Sequence, residues 1–261
     1  GASGHAINAV RIPLNEQCWL GINGSNPAYS GANYKAFLRR LVKDLTDQNM
    51  YVILDLHRYA PGSFDAANSQ DVAPNRDHSI TFWNQVAAEY KTNPAVMFDL
   101  ANEPRIACHG CANTGESYAA DSNKIWTLYR DGGTYTYGPN EVQTWDGKDL
   151  RNGATFQIAG TQELTNAIRS TGSKNVILIP GLGWANSLDH WSQFKPNDPE
   201  NQIGAIIHTY TNSGANVNNL GNLDGQLNAG GVPGNFPLFV GEFGENMCSG
   251  TGTGFHERTI S

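Results

Sequence analysis

A parallel α/β barrel is the fold class this sequence predicts, and three observations predict it. Apolar runs of strand length alternate with amphipathic helical stretches along most of the chain. The strands are nearly continuous in apolar residues, as a sheet covered by helices requires. Polar residues gather at the C-terminal ends of those strands: Arg11, His57, Asn102 with Glu103, His208 with Tyr210, and Glu242. In a (β/α)8 barrel these ends converge on one face, where active sites lie. A doubly wound sheet would want a glycine fingerprint after its first strand, and "RIPLNEQC" has none.

"INAVRIPL", from Ile7 to Leu14, reads as the first strand. "NYKAFLRRLVKDLTDQN" follows, with Phe37, Leu38, Leu41, Val42 and Leu45 at helical spacing on one face. "MYVILDLH" is a buried strand. "DHSITFWNQVAAEYKTNP" reads as a helix with Asp77 at its N-cap and Phe82, Val86 and Tyr90 on one stripe. Next come the strand "VMFDLANE", the helix "FQIAGTQELTNAIRSTG", the strands "NVILIPGL" and "GAIIHTY", a short helix near Leu220 to Ala229, and the strand "PLFVGEFGE". A long insertion from Arg105 to about Gly153 carries Trp126, Tyr129, Tyr135, Tyr137 and Trp145. The Gly-rich "GTGTGF" follows no strand and reads as a loop. No internal repeat is visible.

At 261 residues the chain suits one barrel of about 250 residues. Residues 1–261 are therefore read as a single catalytic barrel with its insertion at about 105–153. Charged residues make up 16%, below the ~25% of an average domain. Polarity comes instead from Asn, Ser, Thr and Gly, which suits an extracellular surface. The net charge of −7 and the lack of a basic run exclude nucleic acid and anionic membranes as natural partners. No apolar stretch approaches the ~20 residues of a spanning helix. "GASGHAINAV" lacks the charged start and long apolar middle of a secretion signal, so any such leader is either removed or lies outside these residues. The four cysteines, Cys18, Cys108, Cys111 and Cys248, are compatible with two disulfides and secretion. "CHGC" has no second ligand pair at zinc spacing and opens no helix, so a structural role is expected for it.

Two carboxyl groups flanking a glycosidic bond can cleave it, one as proton donor and the other as nucleophile or base. Glu103 and Glu242 end strands that would be the fourth and seventh of eight, so they could face each other across the barrel mouth. The rival Glu16 lies beyond Arg11, which already takes that strand's site-facing end. Asp55 and Asp99, inside strands, read as paired core acids, and Glu245 as a loop acid. His5, His78, His109, His190 and His256 read as surface or packing residues. Pro104 disfavours a helical conformation at Glu103 and is expected to leave it extended. Cys18 and Cys248 follow strand ends on one face, so a disulfide between them is a hypothesis.

"VRIP", "ILDLH", "FDLANEP", "IHTY" and "VGEFGE", in this order and spacing, resemble glycoside hydrolase family 5, and "RIPLNEQCWLGING" with the later "DGG" resembles its secreted bacterial cellulases. The resemblance covers nearly the whole chain. It implies a (β/α)8 TIM barrel and a retaining endo-β-1,4-glucanase, with Glu103 as acid/base and Glu242 as nucleophile. It implies that Asn102 meets the sugar 2-hydroxyl, that Arg11 and Tyr210 hold the nucleophile, and that His57 and His208 line the cleavage subsite. Aromatic rings match the flat faces of sugars, and Trp184, just after "VILIPGLG", is the expected leaving-side platform. Trp19 and the insertion aromatics are weaker candidates. Neither metal nor cofactor is expected, because acid/base and carboxylate chemistry needs none.

The β-glucan could instead be β-mannan, xyloglucan or β-1,3-glucan. A transglycosylase needs the same residues. A non-catalytic sugar-binding barrel would have lost a carboxylate or Arg11, and all are present. Only barrel strands two to seven are read in the chain. The first and last strands are expected from a longer chain or from another copy completing the barrel.

Overall fold

A computed structural model of the chain describes residues 7–66, 71–106, 122–137, 153–210, 228, 231–232 and 234–244. Six strands form one parallel sheet: β1 (Ala9–Asn15), β2 (Tyr51–Arg58), β3 (Val96–Asp99), β6 (Ile177–Pro180), β7 (Ile203–Tyr210) and β8 (Leu238–Gly244), in that spatial order. All five pairings between neighbours are parallel. This curled sheet is a partial (β/α)8 barrel, its strands the second to seventh of the full count. Two further strands, β4 (Gly133–Thr136) and β5 (Thr155–Ile158), pair antiparallel outside it.

The central strands are buried on both faces because helices cover one and neighbouring strands enclose the other. Helices α2 (Ala32–Asp47), α3 (Ser79–Tyr90) and α5 (Thr161–Ser170) supply the cover. Shorter helical segments are α1 (Glu16–Leu20), α4 (Ser122–Asp131), α6 (Leu182–Ala185) and α7 (Trp191–Phe194). Val52, Leu54 and Leu56 of β2 and Val96 and Phe98 of β3 join Phe82, Trp83 and Val86 of α3 in the main core. Two buried tryptophans bond their indole N–H to strand-end carbonyls: Trp83 to Leu100 at 3.1 Å and Trp191 to Ile179 at 3.0 Å. A second, smaller cluster lies on the opposite face of the same strands, built from Ile53, Met97, Leu178 and Ile206. It floors the barrel interior.

Several expectations are corrected. "FQI" is not the start of a helix. Phe156 and Ile158 are buried while Gln157 is exposed, a period of two, and Phe156 lies opposite Tyr135 in the hairpin. That strand ends at Ile158, and Gly160 is the N-cap of α5, which starts at Thr161. Asp77 does not cap α3. Asn75 accepts from the His78 N–H at 2.9 Å, and Asp77 accepts from the Gly62 N–H instead. Phe37 is 57% exposed, because the buried stripe of α2 centres on Leu38 and Val42 and Phe37 lies past its edge. Trp19, Trp126, Tyr129, Tyr135 and Tyr137 are core residues, which removes them as sugar platforms. Cys18 is a half-buried free thiol. Its proposed partner Cys248 lies outside the described residues, as do Cys108, Cys111, Trp145, Glu245, "GTGTGF" and, apart from Asn228, the short helix near Leu220. No helix among the described residues is long and apolar enough to cross a membrane.

Candidate active site

Alternation along the strands sends one set of side chains into the barrel and the other against the helices. Arg11 on β1 points inward, as do Asp55 and His57 on β2, Asp99 on β3, and His208 and Tyr210 on β7. The interior is therefore layered. Apolar residues lie at the bottom, Arg11, Asp55 and Asp99 form a charged layer above them, and the strand ends carry the top.

Arg11 organises that layer. Its Nη1 donates to Glu242 Oε1 at 2.5 Å, and its Nη2 meets Asp55 Oδ2 at 3.0 Å, Asp99 Oδ2 at 2.9 Å and Asn102 Oδ1 at 3.0 Å. A planar guanidinium with five donors suits such a convergence of acceptors. The three neighbouring carboxylates outweigh the cost of burial and raise the Arg11 pKa further. Tyr210 donates its phenol O–H to Glu242 Oε2 at 2.7 Å. Burial pushes the Glu242 carboxyl up, but His208, the Tyr210 hydroxyl and Arg11 together hold it below the ordinary value. Burial and the Glu242 carboxylate push the Tyr210 phenol up, so it stays a donor.

Glu103 faces Glu242 from the turn after β3. His208 Nδ1 lies 3.0 Å from Glu103 Oε1 and 3.6 Å from Glu242 Oε2. One donor atom from each of Glu103, His208 and Glu242 lies within 4.8 Å of the others. Such a cluster is close enough to share a cation, yet each member also fits acid–base and nucleophilic work. A register shift at Ile207/His208 places His208 opposite Glu242. Gly241 allows the approach, because a Cβ there would lie 2.9 Å from His208 Nε2.

Glu103 departs from the sequence reading. Its φ is +45°, left-handed rather than extended. The clash with a following proline bars the right-handed helix, and the tight turn after β3 takes the left-handed alternative. Such a conformation is strained for a residue with a Cβ, and strain of this kind concentrates at functional sites. Tyr59, overlooked in the sequence, braces the turn with a buried hydroxyl that donates to the Asn102 carbonyl at 2.6 Å. Its position two residues past His57 was the available signal. Asn102, itself buried, accepts from Arg11 Nη2 through its side-chain oxygen and so joins the turn to the charged layer.

His57 Nδ1 meets Asp55 Oδ2 at 2.7 Å, tying the imidazole to the Arg11 layer. Trp184 stands apart from this hydrogen-bonded group. It is 37% exposed, lies under the Arg105 guanidinium at 4.8 Å, and donates its backbone N–H to the Pro104 carbonyl. Gly183, Trp184 and Ala185 are successive left-handed residues, a turn that raises the ring beside the Glu103 segment. Glu16 is fully buried and accepts from the Ala60 N–H, Asn75 and Ser79. It anchors the segments that follow β1 and β2.

The cellulase profile, glycosyl hydrolase family 5, matches residues 2–259. The chain belongs to glycosyl hydrolase family 5. Endo-beta-1,4-glucanase B of Aspergillus niger is 25% identical over 185 residues, which are 69% of this chain and 40% of that protein. This chain thus spans about two fifths of that relative's length. The endo-beta-1,4-glucanase Xac0029 of Xanthomonas axonopodis pv. citri superposes with a TM-score of 0.57 at 20% identity, covering 93% of this chain and 67% of that one. XacCel5A, solved in complex with cellopentaose, superposes at 0.53 and 20% identity, covering 91% of this chain and 66% of that one. At these identities the superpositions show a shared barrel fold.

Proposed function

We propose that residues 1–261 are the catalytic barrel, with an insertion at about 105–153, of a secreted glycosidase that cleaves internal β-1,4 bonds of cellulose or a related β-glucan with retention. One observation carries the reading: Glu103 and Glu242 face each other with donor atoms within 4.8 Å, and their surroundings differ. A retaining enzyme holds its carboxyl groups ~5–5.5 Å apart, whereas an inverting one leaves ~6.5–9.5 Å for a water. Arg11 and Tyr210 keep Glu242 ionised for attack on the anomeric carbon. Glu103, bonded to His208, gives its proton to the leaving oxygen. Once the glycosyl ester forms at Glu242, the Glu103 carboxylate takes a proton from water, which releases the sugar with its original configuration.

The remaining site residues take supporting roles. Asn102 meets the sugar 2-hydroxyl, His57 borders the cleavage subsite, and Trp184 supports the leaving-side sugar. The low-charge surface favours an extracellular setting. Proton NMR of early products from a cello-oligosaccharide tests the reading. The β-anomer should appear first and then mutarotate. An initial α-anomer, or release only from mannan or β-1,3-glucan, would overturn the mechanism or the substrate respectively.

A further inference from the structure

The two acids beneath the nucleophile carry more information than the site chemistry uses. Asp55 and Asp99 are register partners on the parallel strands β2 and β3. Strands run about 4.8 Å apart, so the two side chains stand next to each other. Both are shut off from solvent. Each uses only its Oδ2 atom. Asp99 Oδ2 accepts from Arg11 Nε and meets Nη2, both at 2.9 Å. Asp55 Oδ2 meets Arg11 Nη2 at 3.0 Å and His57 Nδ1 at 2.7 Å. The Oδ1 atoms of both are buried and have no hydrogen-bond partner among the described residues. Each aspartate thus leaves one buried oxygen without a partner, and two carboxylates on neighbouring strands repel when both are ionised. One proton on the pair relieves the repulsion and reduces the desolvation cost.

We propose that Asp99 is a positioning residue for the nucleophile, and that Asp55 and Asp99 together hold one proton and act as a single negative charge beneath Arg11. The positioning role rests on the retaining-glycosidase reading; the shared proton does not. The ionisable groups around the pair are Arg11 on β1, His57 on β2, Glu103 after β3, His208 on β7, Glu242 on β8, and the phenols of Tyr34, Tyr59 and Tyr129. Arg11 is the permanent cation of this group. With both aspartates ionised it would face three carboxylates. With a shared proton it faces two charges, the pair and Glu242. When Glu242 becomes a glycosyl ester its charge disappears, and Arg11 and the pair neutralise each other. No proton leaves the pair during that step.

Asp99 also sets the angle of the guanidinium. A single oxygen bridging Nε and Nη2 fixes rotation of the fork, and this aims Nη1 at Glu242. The Asp99 carboxyl fits a proton holder. Burial raises it, Arg11 lowers it and Asp55 raises it again, to about 7.

Infrared titration of the full chain, wild type against Asp99→Asn, tests the shared proton. The asparagine oxygen can accept from Arg11 as Asp99 Oδ2 does, and the neutral amide mimics the protonated acid. The difference spectrum should contain a protonated-carboxyl band that disappears as pH rises through about 7. Glu16, also raised to about 7, is present in both proteins and cancels. Kinetics with a dinitrophenyl cellobioside test the positioning. Asp99→Ala should lose roughly 100-fold in kcat with little change in KM, and Asp99→Asn should recover to within about tenfold of wild type. A missing band overturns the shared proton, and an Asp99→Asn as slow as Asp99→Ala overturns the positioning role. If Asp99→Ala fails to fold, Asp99→Asn alone decides, and a loss near 100-fold overturns the role. A wild-type chain silent on the glycoside refutes the glycosidase reading and the positioning with it, while the band still decides the proton.

Discussion

On β2, Val52, Leu54 and Leu56 face the helices, while Ile53, Asp55 and His57 face the barrel interior. β3 repeats the division, with Val96 and Phe98 outward and Met97 and Asp99 inward. Neighbouring residues thus serve opposite ends. The outer face is dry and interchangeable in chemistry, and its value is stability. The inner face changes along the strand from apolar to charged to the proposed site residues, and its value is a fixed arrangement of hydrogen bonds. A substitution on one face should leave the property of the other largely intact.

The largest break on the inner face is Glu103→Gln. If Glu103 is the general acid, as proposed, its loss should reduce kcat/KM on an unactivated oligosaccharide by roughly 10²–10⁴-fold. The urea midpoint should move little, because Glu103 lies at the mouth rather than in the core. Phe98→Ala is the counterpart on the outer face. Phe98 is fully buried with its ring centroid 5.6 Å from that of Trp83. Its truncation should cost about 3–5 kcal/mol in urea unfolding while kcat per folded molecule stays near wild type.

Tyr210→Phe is a smaller change on the inner face. A hydrogen bond to a charged group contributes about 1.5–3 kcal/mol, which corresponds to roughly 10–100-fold in kcat/KM if expressed fully in the transition state. Glu242 is held below its ordinary value, so activity is lost as pH falls through that depressed pKa. The variant loses one of the groups that lower it. Its acid limb should therefore move to higher pH, read from kcat/KM against pH.

Glu16→Gln gives the smallest effect and sharpens the contrast differently. Burial, opposed by Ser79, Asn75 and the Ala60 N–H, raises Glu16 to about 7. Between an unfolded value near 4.5 and 7, the native state keeps a proton that the unfolded chain has released. Stability should fall as pH rises across that window. The variant should lose the Glu16 share of the slope in urea midpoints measured from pH 4.5 to 7, with kcat unchanged.

These faces were legible in the sequence to different depths. The outer face announces itself as apolar runs and helical stripes, and the six parallel strands follow from that pattern. The strand-end positions of Arg11, His57, Glu103, His208, Tyr210 and Glu242 were legible too, because a barrel converges them. What joins them was not. The left-handed turn at Glu103 depends on the Tyr59 brace and on the turn after β3, neither of which a proline rule conveys. Asp55 and Asp99 read as paired core acids, but that both meet Arg11 Nη2 depends on register between strands distant in sequence. The β4–β5 hairpin was misread because "FQI" is too short to declare its period, and only pairing with Tyr135 decides it.

The central claim is that Glu242 is the nucleophile facing Glu103, and trapping tests it most directly. A 2-deoxy-2-fluoro cellobioside with a good leaving group slows breakdown of the covalent intermediate. Intact mass should rise by one fluorocellobiosyl unit, and peptide mapping should place it on Glu242. A label on another residue, or turnover with inversion and no label, would contradict the account.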